Sequence, residues 1–215
     1  MGSPTNRLAW QTARFFPGVA LLVIAGIFFL DNPLASAIEH FLRGNSLFSR
    51  RTAHIPDLLL PFVLTLSASF LAARHVRIRR FGEDTRCAFY LLGAIVLPAS
   101  FLVKTILKPL FGRVETRVWL QDPLPPSLQW FLHGDGYAGF PSGHMMVFTA
   151  LAAAFRIYFP RPGNALLFLL PLLGTALIVS NYHFLTDVVA GAYFGLAVTA
   201  IAVLLLDKNV IGQAQ

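Results

Sequence analysis

Gly139-Phe140-Pro141-Ser142-Gly143-His144 leads straight into an apolar run that ends at Phe159, and about forty residues later His183 stands four positions ahead of Asp187. The first stretch has the composition of a turn entering a helix. Ser142 suits the N-cap, and Gly143 lets a ligand come close to the backbone. A helix start presents unpaired N–H groups and the positive end of the dipole, which together attract an anion. His144, in the first turn, is then within reach of a bound anion and able to give a proton to a departing oxygen. The same residues also read as a plain capping turn with an interfacial histidine.

Composition sets the surroundings of these groups. Of 215 residues, 56% are hydrophobic and 13% charged, whereas soluble domains carry roughly 25% charged residues. The chain reads as an all-α integral membrane protein in one domain, residues 1–215. Crossing ~30 Å of hydrocarbon takes about 20 helical residues, and six apolar segments approach that length: Phe15 to Leu30, Ile55 to Ala73, Cys87 to Leu107, Gly143 to Phe159, Ala165 to Ser180 and Val188 to Leu206. None alternates as a barrel strand does, so a six-transmembrane-helix bundle is expected, with an active site at the outer membrane–water interface. The net charge of +7 is spread between apolar runs, which fits topology signals and an anionic ligand better than nucleic acid. The single cysteine, Cys87, excludes an internal disulfide and reads as a small buried hydrophobe.

Lys and Arg counts orient the bundle. Arg74, Arg77, Arg79, Arg80 and Arg86 cluster between the second and third segments, which places that loop and both termini in the cytoplasm. The first segment also imitates a secretory signal, with Ala35-Ser36-Ala37 as a cleavage site, but its apolar length favours an uncleaved anchor. Parity then brings the end of the third segment, the start of the fourth and the connection carrying His183 and Asp187 to one outer face. In a bacterium that face of the inner membrane is periplasmic.

Ionisable groups at the edge of membrane-length runs are costly and tend to be functional. On a helix, His183 and Asp187 face one another, and the carboxylate can fix the imidazole tautomer and raise its basicity, as a nucleophilic histidine requires. A structural His–Asp pair fits the spacing equally. Too few further Asp, Glu or Cys lie nearby to complete a metal site. Lys108, Arg113 and Arg117 follow the third segment and can hold phosphate oxygens; snorkelling to the interface is their ordinary alternative and suits Lys104. In the long connection from Leu110 to Phe140, His133 and Asp135 are candidates for head-group contacts, while Trp119 and Trp130 suit an interfacial aromatic belt. Ile38, Phe41, Leu47 and Phe48 among Arg43, Arg50 and Arg51 suggest a short interfacial helix.

These residues resemble the type 2 phosphatidic acid phosphatase superfamily, six-helix membrane phosphatases with the motifs Lys-x6-Arg-Pro, Pro-Ser-Gly-His and Ser-Arg-x5-His-x3-Asp. The second motif is complete at Pro141 to His144, and the third ends at His183 and Asp187, followed by Val188-Val189-Ala190-Gly191. The resemblance implies that His183 is the nucleophile, oriented by Asp187, that His144 is the general acid, and that Lys108, Ser142 and Gly143 bind phosphate. Leu177 and Glu115 stand where the family has arginines, so Arg113 and Arg117 are expected to supply the cationic clamp.

The expected activity is metal-independent, cofactor-free hydrolysis of a lipid phosphate monoester or diphosphate through a phosphohistidine. The substrate classes are a polyprenyl diphosphate, phosphatidylglycerol phosphate, phosphatidic acid or a lipid A-like glycolipid. The alternatives are a lipid phosphotransferase, or an impaired relative that binds or moves a phosphorylated lipid. A transporter would carry ionisable groups deeper in its spans.

Overall fold

A computed structural model describes residues 4–42, 58–122, 128–131, 134 and 136–211. Those residues form eight helices: α1 (Pro4–Phe29), α2 (Asp31–Leu42), α3 (Leu59–Phe81), α4 (Thr85–Phe111), α5 (Thr116–Gln121), α6 (Gly143–Tyr158), α7 (Pro160–Val179) and α8 (Leu185–Ile211). The only β pairing among them is an isolated bridge between Arg113 and Leu128.

Among the described residues, five helices are long and apolar enough to cross a membrane: Leu8–Phe29, Leu59–Phe81, Thr85–Phe111, Pro160–Val179 and Leu185–Leu206. The remaining expected segment is helical but has only 16 residues, a length of about 24 Å, shorter than the hydrocarbon layer. Its position accounts for this. α6 is the central helix, packed against α4, α7 and α8, with ten of its residues buried. The outer helices instead turn Phe15, Leu21, Leu64, Phe168 and Leu205 outward, an arrangement suited to lipid rather than water.

Local chemistry sets the ends of α4. Asp84 caps its start, accepting the Cys87 N–H at 3.0 Å, and Cys87 is buried as expected. Gly112 ends it in the left-handed conformation, φ 52°, with its N–H on the Lys108 carbonyl. That geometry strongly favours glycine. It turns the chain so that Arg113 points back into the bundle. The arginines at the end of α3 and Lys108 near the far end of α4 are thus separated by most of a 27-residue helix, about 35 Å along its axis by rise alone.

α8 lies close on α6 because Gly191 and Gly195 face the carbonyls of Ser142 and Met146, where a Cβ would collide with backbone. Small residues one turn apart commonly let membrane helices approach this closely. Of the residues expected in an interfacial helix after the first segment, Ile38 and Phe41 lie in α2. Arg43, Leu47, Phe48, Arg50 and Arg51 lie outside the described residues, as do His133 and Asp135. Trp119, expected at the interface, is buried on Phe184 with ring centroids 5.8 Å apart.

Candidate active site

The start of α6 is built as its sequence suggested. Ser142 Oγ accepts the Met145 N–H at 3.4 Å, and the Ser142 N–H donates to the Asp187 carbonyl at 3.0 Å. One hydrogen bond therefore joins the turn at Ser142 to the first turn of α8. The aliphatic part of Lys104 lies over Gly143, so that a Cβ there would run into it. Lys104, which the sequence suggested as an interfacial snorkeller, therefore reaches the helix start. Its ammonium sits 4.1 Å from the Phe101 ring centroid.

His183 occupies the bend before α8 rather than the helix itself. Asn181, at φ 50°, turns the chain so that the Tyr182 and His183 N–H groups both donate to the Leu177 carbonyl, at 3.0 and 3.2 Å. The Leu177 side chain packs with Met145 and Val188. Asn181 Nδ2 donates to Glu39 of α2 at 3.0 Å. The Tyr182 ring stands between the two histidines, with centroids 5.9 Å from His144 and 4.9 Å from His183, edge-on to both.

His183 Nδ1 lies 3.6 Å from Asp187 Oδ2, inside ion-pair reach but longer than a hydrogen bond, and it has no hydrogen-bond partner. Burial pushes the His183 imidazole below its usual value, with Asp187 pulling the other way. Asp187 Oδ2 also accepts the Phe184 N–H at 3.0 Å.

The cations divide into two groups. Lys108 Nζ donates to the Ala138 carbonyl at 2.5 Å, and Arg117 Nη2 donates to the Ser180 carbonyl at 3.3 Å with its guanidinium 5.2 Å from the Tyr182 ring. Both border the histidine loop. Arg113, expected to face a phosphate, faces two carboxylates. Its Nη1 donates to Asp187 Oδ1 at 2.5 Å and to Thr186 Oγ1 at 2.7 Å, and its Nη2 donates to Asp31 Oδ2 at 2.6 Å. The Phe184 ring lies 4.4 Å from the guanidinium. Burial works against the charge on Arg113, but Asp187 and Asp31 hold its pKa above the ordinary value. Burial raises the Asp31 carboxyl, against the pull of Arg113 and Thr186.

Asp31 and Thr186 escaped the sequence reading. The available signal for Asp31 was a carboxylate immediately after the first apolar run, on the same outer face by parity. Among the described residues no three His, Cys, Asp or Glu side chains gather as a metal ligand set.

The family model of the PAP2 superfamily matches residues 86–211. No curated protein matches the chain. Among solved structures, the first transmembrane PAP2 type phosphatidylglycerolphosphate phosphatase from Bacillus subtilis is similar, with a TM-score of 0.51 and 18% identity, covering 94% of this chain and 98% of its own. That likeness is one of fold.

Proposed function

The chain belongs to the PAP2 superfamily, and from that premise we propose that it is a metal-independent lipid phosphatase working through a phosphohistidine at the outer membrane face. The observation that carries the reading is the bond from Ser142 N–H to the Asp187 carbonyl. It ties the helix start at Ser142, read as the anion site, to the turn that carries the buried Asp187 and His183. Asp187 faces the Nδ1 side of His183, which leaves Nε2 to attack phosphorus. The P–N bond forms as the P–O bond to the lipid breaks, and His144 gives the leaving oxygen its proton. Water then attacks the phosphohistidine with His144 as base, releasing inorganic phosphate and restoring both histidines.

Lys108, Arg117 and the N–H groups of Gly143 and His144 bind the phosphate, the Ser142 N–H being given to the Asp187 carbonyl. Arg113 acts differently in this reading from the clamp the sequence suggested: it holds Asp187. α6 serves as the sixth span, bridged by protein on its flanks. The membrane is a bacterial inner membrane, both termini are cytoplasmic, and the site is periplasmic, as the arginines at the adjoining ends of α3 and α4 suggest. Among the substrate classes, the fold likeness puts phosphatidylglycerol phosphate first for testing, ahead of phosphatidic acid, polyprenyl diphosphate and lipid A-like glycolipids.

Leu177 and Glu115 favour a second reading, a phosphotransferase or an impaired lipid-phosphate binder, because Glu115 lies in electrostatic reach of His183. Phosphate release from these lipids in detergent with EDTA decides between them. Release that survives chelation and disappears in His183→Ala supports the phosphatase; folded protein that releases none from any lipid defeats it.

A further inference from the structure

We infer that Asp31 is a positioning residue for the His183–Asp187 pair: from the head of α2 it anchors Arg113, and Arg113 in turn fixes Asp187 against His183. This rests on the reading of His183 as the nucleophile. Asp31 is 1% exposed and Asp187 0%, so neither carboxylate is supported by solvent. Asp31 Oδ2 accepts Arg113 Nη2 at 2.6 Å and the Thr186 hydroxyl at 2.5 Å, while Oδ1 accepts the Thr186 N–H at 3.1 Å. It therefore grips both the arginine and the residue next to Asp187.

The ring closes on itself. Arg113 Nη1 bonds Asp187 Oδ1 and Thr186 Oγ1, and Asp187 Oδ2, held by the Phe184 N–H, is left facing His183 Nδ1. Charge follows the same path. One guanidinium alone would neutralise Asp187 and weaken it as a partner for an imidazolium. With Asp31 sharing Arg113, a net negative charge stays on the His183 side.

The other charged or titratable groups around His183 are Lys108 from α4 and Glu115 before α5, Arg117 beside Tyr182, His144 across the Tyr182 ring, and Glu39 through Asn181. The bonds of Asp31 go instead to Arg113 and Thr186. Asp31 can therefore be altered without touching the phosphate-binding groups. Its hydrogen bonds run to Arg113 and Thr186, and through them to Asp187 beside His183.

The test is Asp31→Asn, which keeps the volume and removes the charge. ¹⁵N-histidine NMR in detergent, with His183 assigned by His183→Gln, should show the His183 imidazole protonating at lower pH than in wild type. The acid limb of kcat/KM should move the same way, with kcat down about tenfold or more and KM nearly unchanged. A residue that merely fastens α2 to α8 would lower the melting temperature and leave the His183 titration in place, and that result overturns the inference. If Asp31→Asn does not fold, Thr186→Val keeps the branched shape, removes the hydroxyl, and should shift His183 in the same direction by less; no shift there is equally fatal. A wild-type protein that releases no phosphate defeats the phosphatase reading instead, and the NMR titration still decides the role of Asp31.

Discussion

Arg113→Met isolates the energetic role of the buried ring. The guanidinium side chain is 4% exposed and its two carboxylate partners 0%. Methionine fills similar space and leaves Asp31 and Asp187 facing each other without a counter-ion. Breaking a buried pair from one side costs roughly 3–5 kcal/mol, because the stranded charge has no water to return to. In a chain of this size each kcal/mol shifts the melting temperature by about 2–4 °C, so the variant should melt about 6–20 °C lower. A thiol-reactive fluorophore can follow unfolding in detergent, since Cys87 is the only cysteine and is buried. Arg113→Lys should fall in between, because one ammonium cannot fork between two carboxylates as a guanidinium does. The double variant Asp31→Asn with Arg113→Met should lose less than the two single losses added, since it removes a stranded charge along with its cation. A melting temperature within about 2 °C of wild type for Arg113→Met, or strict additivity in the double variant, would refute the account of Arg113 as a buried bridge.

Burial lowers the His183 pKa, and as the proposed nucleophile it must be neutral. The acid limb of kcat/KM should therefore lie below about 6.5, and a limb at or above it contradicts the assignment. The same shift makes the unfolded chain the better proton acceptor. Stability should fall as pH drops from about 6.5 toward the folded-state value, and His183→Gln should flatten that slope in a melting series. Gly191→Ala sets a Cβ against the Ser142 carbonyl, so it should part α6 from α8, cost about 1–3 kcal/mol and reduce phosphate release more than it reduces folding; unchanged turnover would count against the close helix contact. Leu177→Arg puts back the family's arginine in sequence but sets a charge among Met145 and Val188. It should yield aggregated protein on size exclusion rather than faster turnover, and a monodisperse, more active variant would show that Leu177 marks a simple loss.

What the sequence revealed, and what it hid, follows from the range of the interactions. The apolar runs, the Ser142 cap and the break at Gly112 depend on neighbours a few positions away, so local pattern alone marks them. The helices still overrun the predicted apolar segments at several ends, as α3 does by continuing through Arg74 to Phe81, because a helix need not stop where its hydrocarbon contact stops. The four-residue spacing from Asp187 allows His183 to be helical. Asn181 and the Leu177 carbonyl instead place it in the preceding bend, a turn with no strong composition signal. Arg113 was read as a phosphate ligand because the family motif puts a cation near it, whereas its partners are set by packing: Thr186 and Asp187 lie 73 and 74 positions away, and Asp31 lies 82 away. No local pattern can assign such a pairing. The distinction matters for how divergence from a motif is judged. When Leu177 and Glu115 replace two arginines, counting cations suggests a weakened site, but a buried cation already spoken for by carboxylates was never part of the phosphate-binding count. The quantity that bears on catalysis is the charge facing the substrate, and in the proposed reading that falls to Lys108, Arg117 and the helix start at Ser142, with Arg113 acting from behind Asp187.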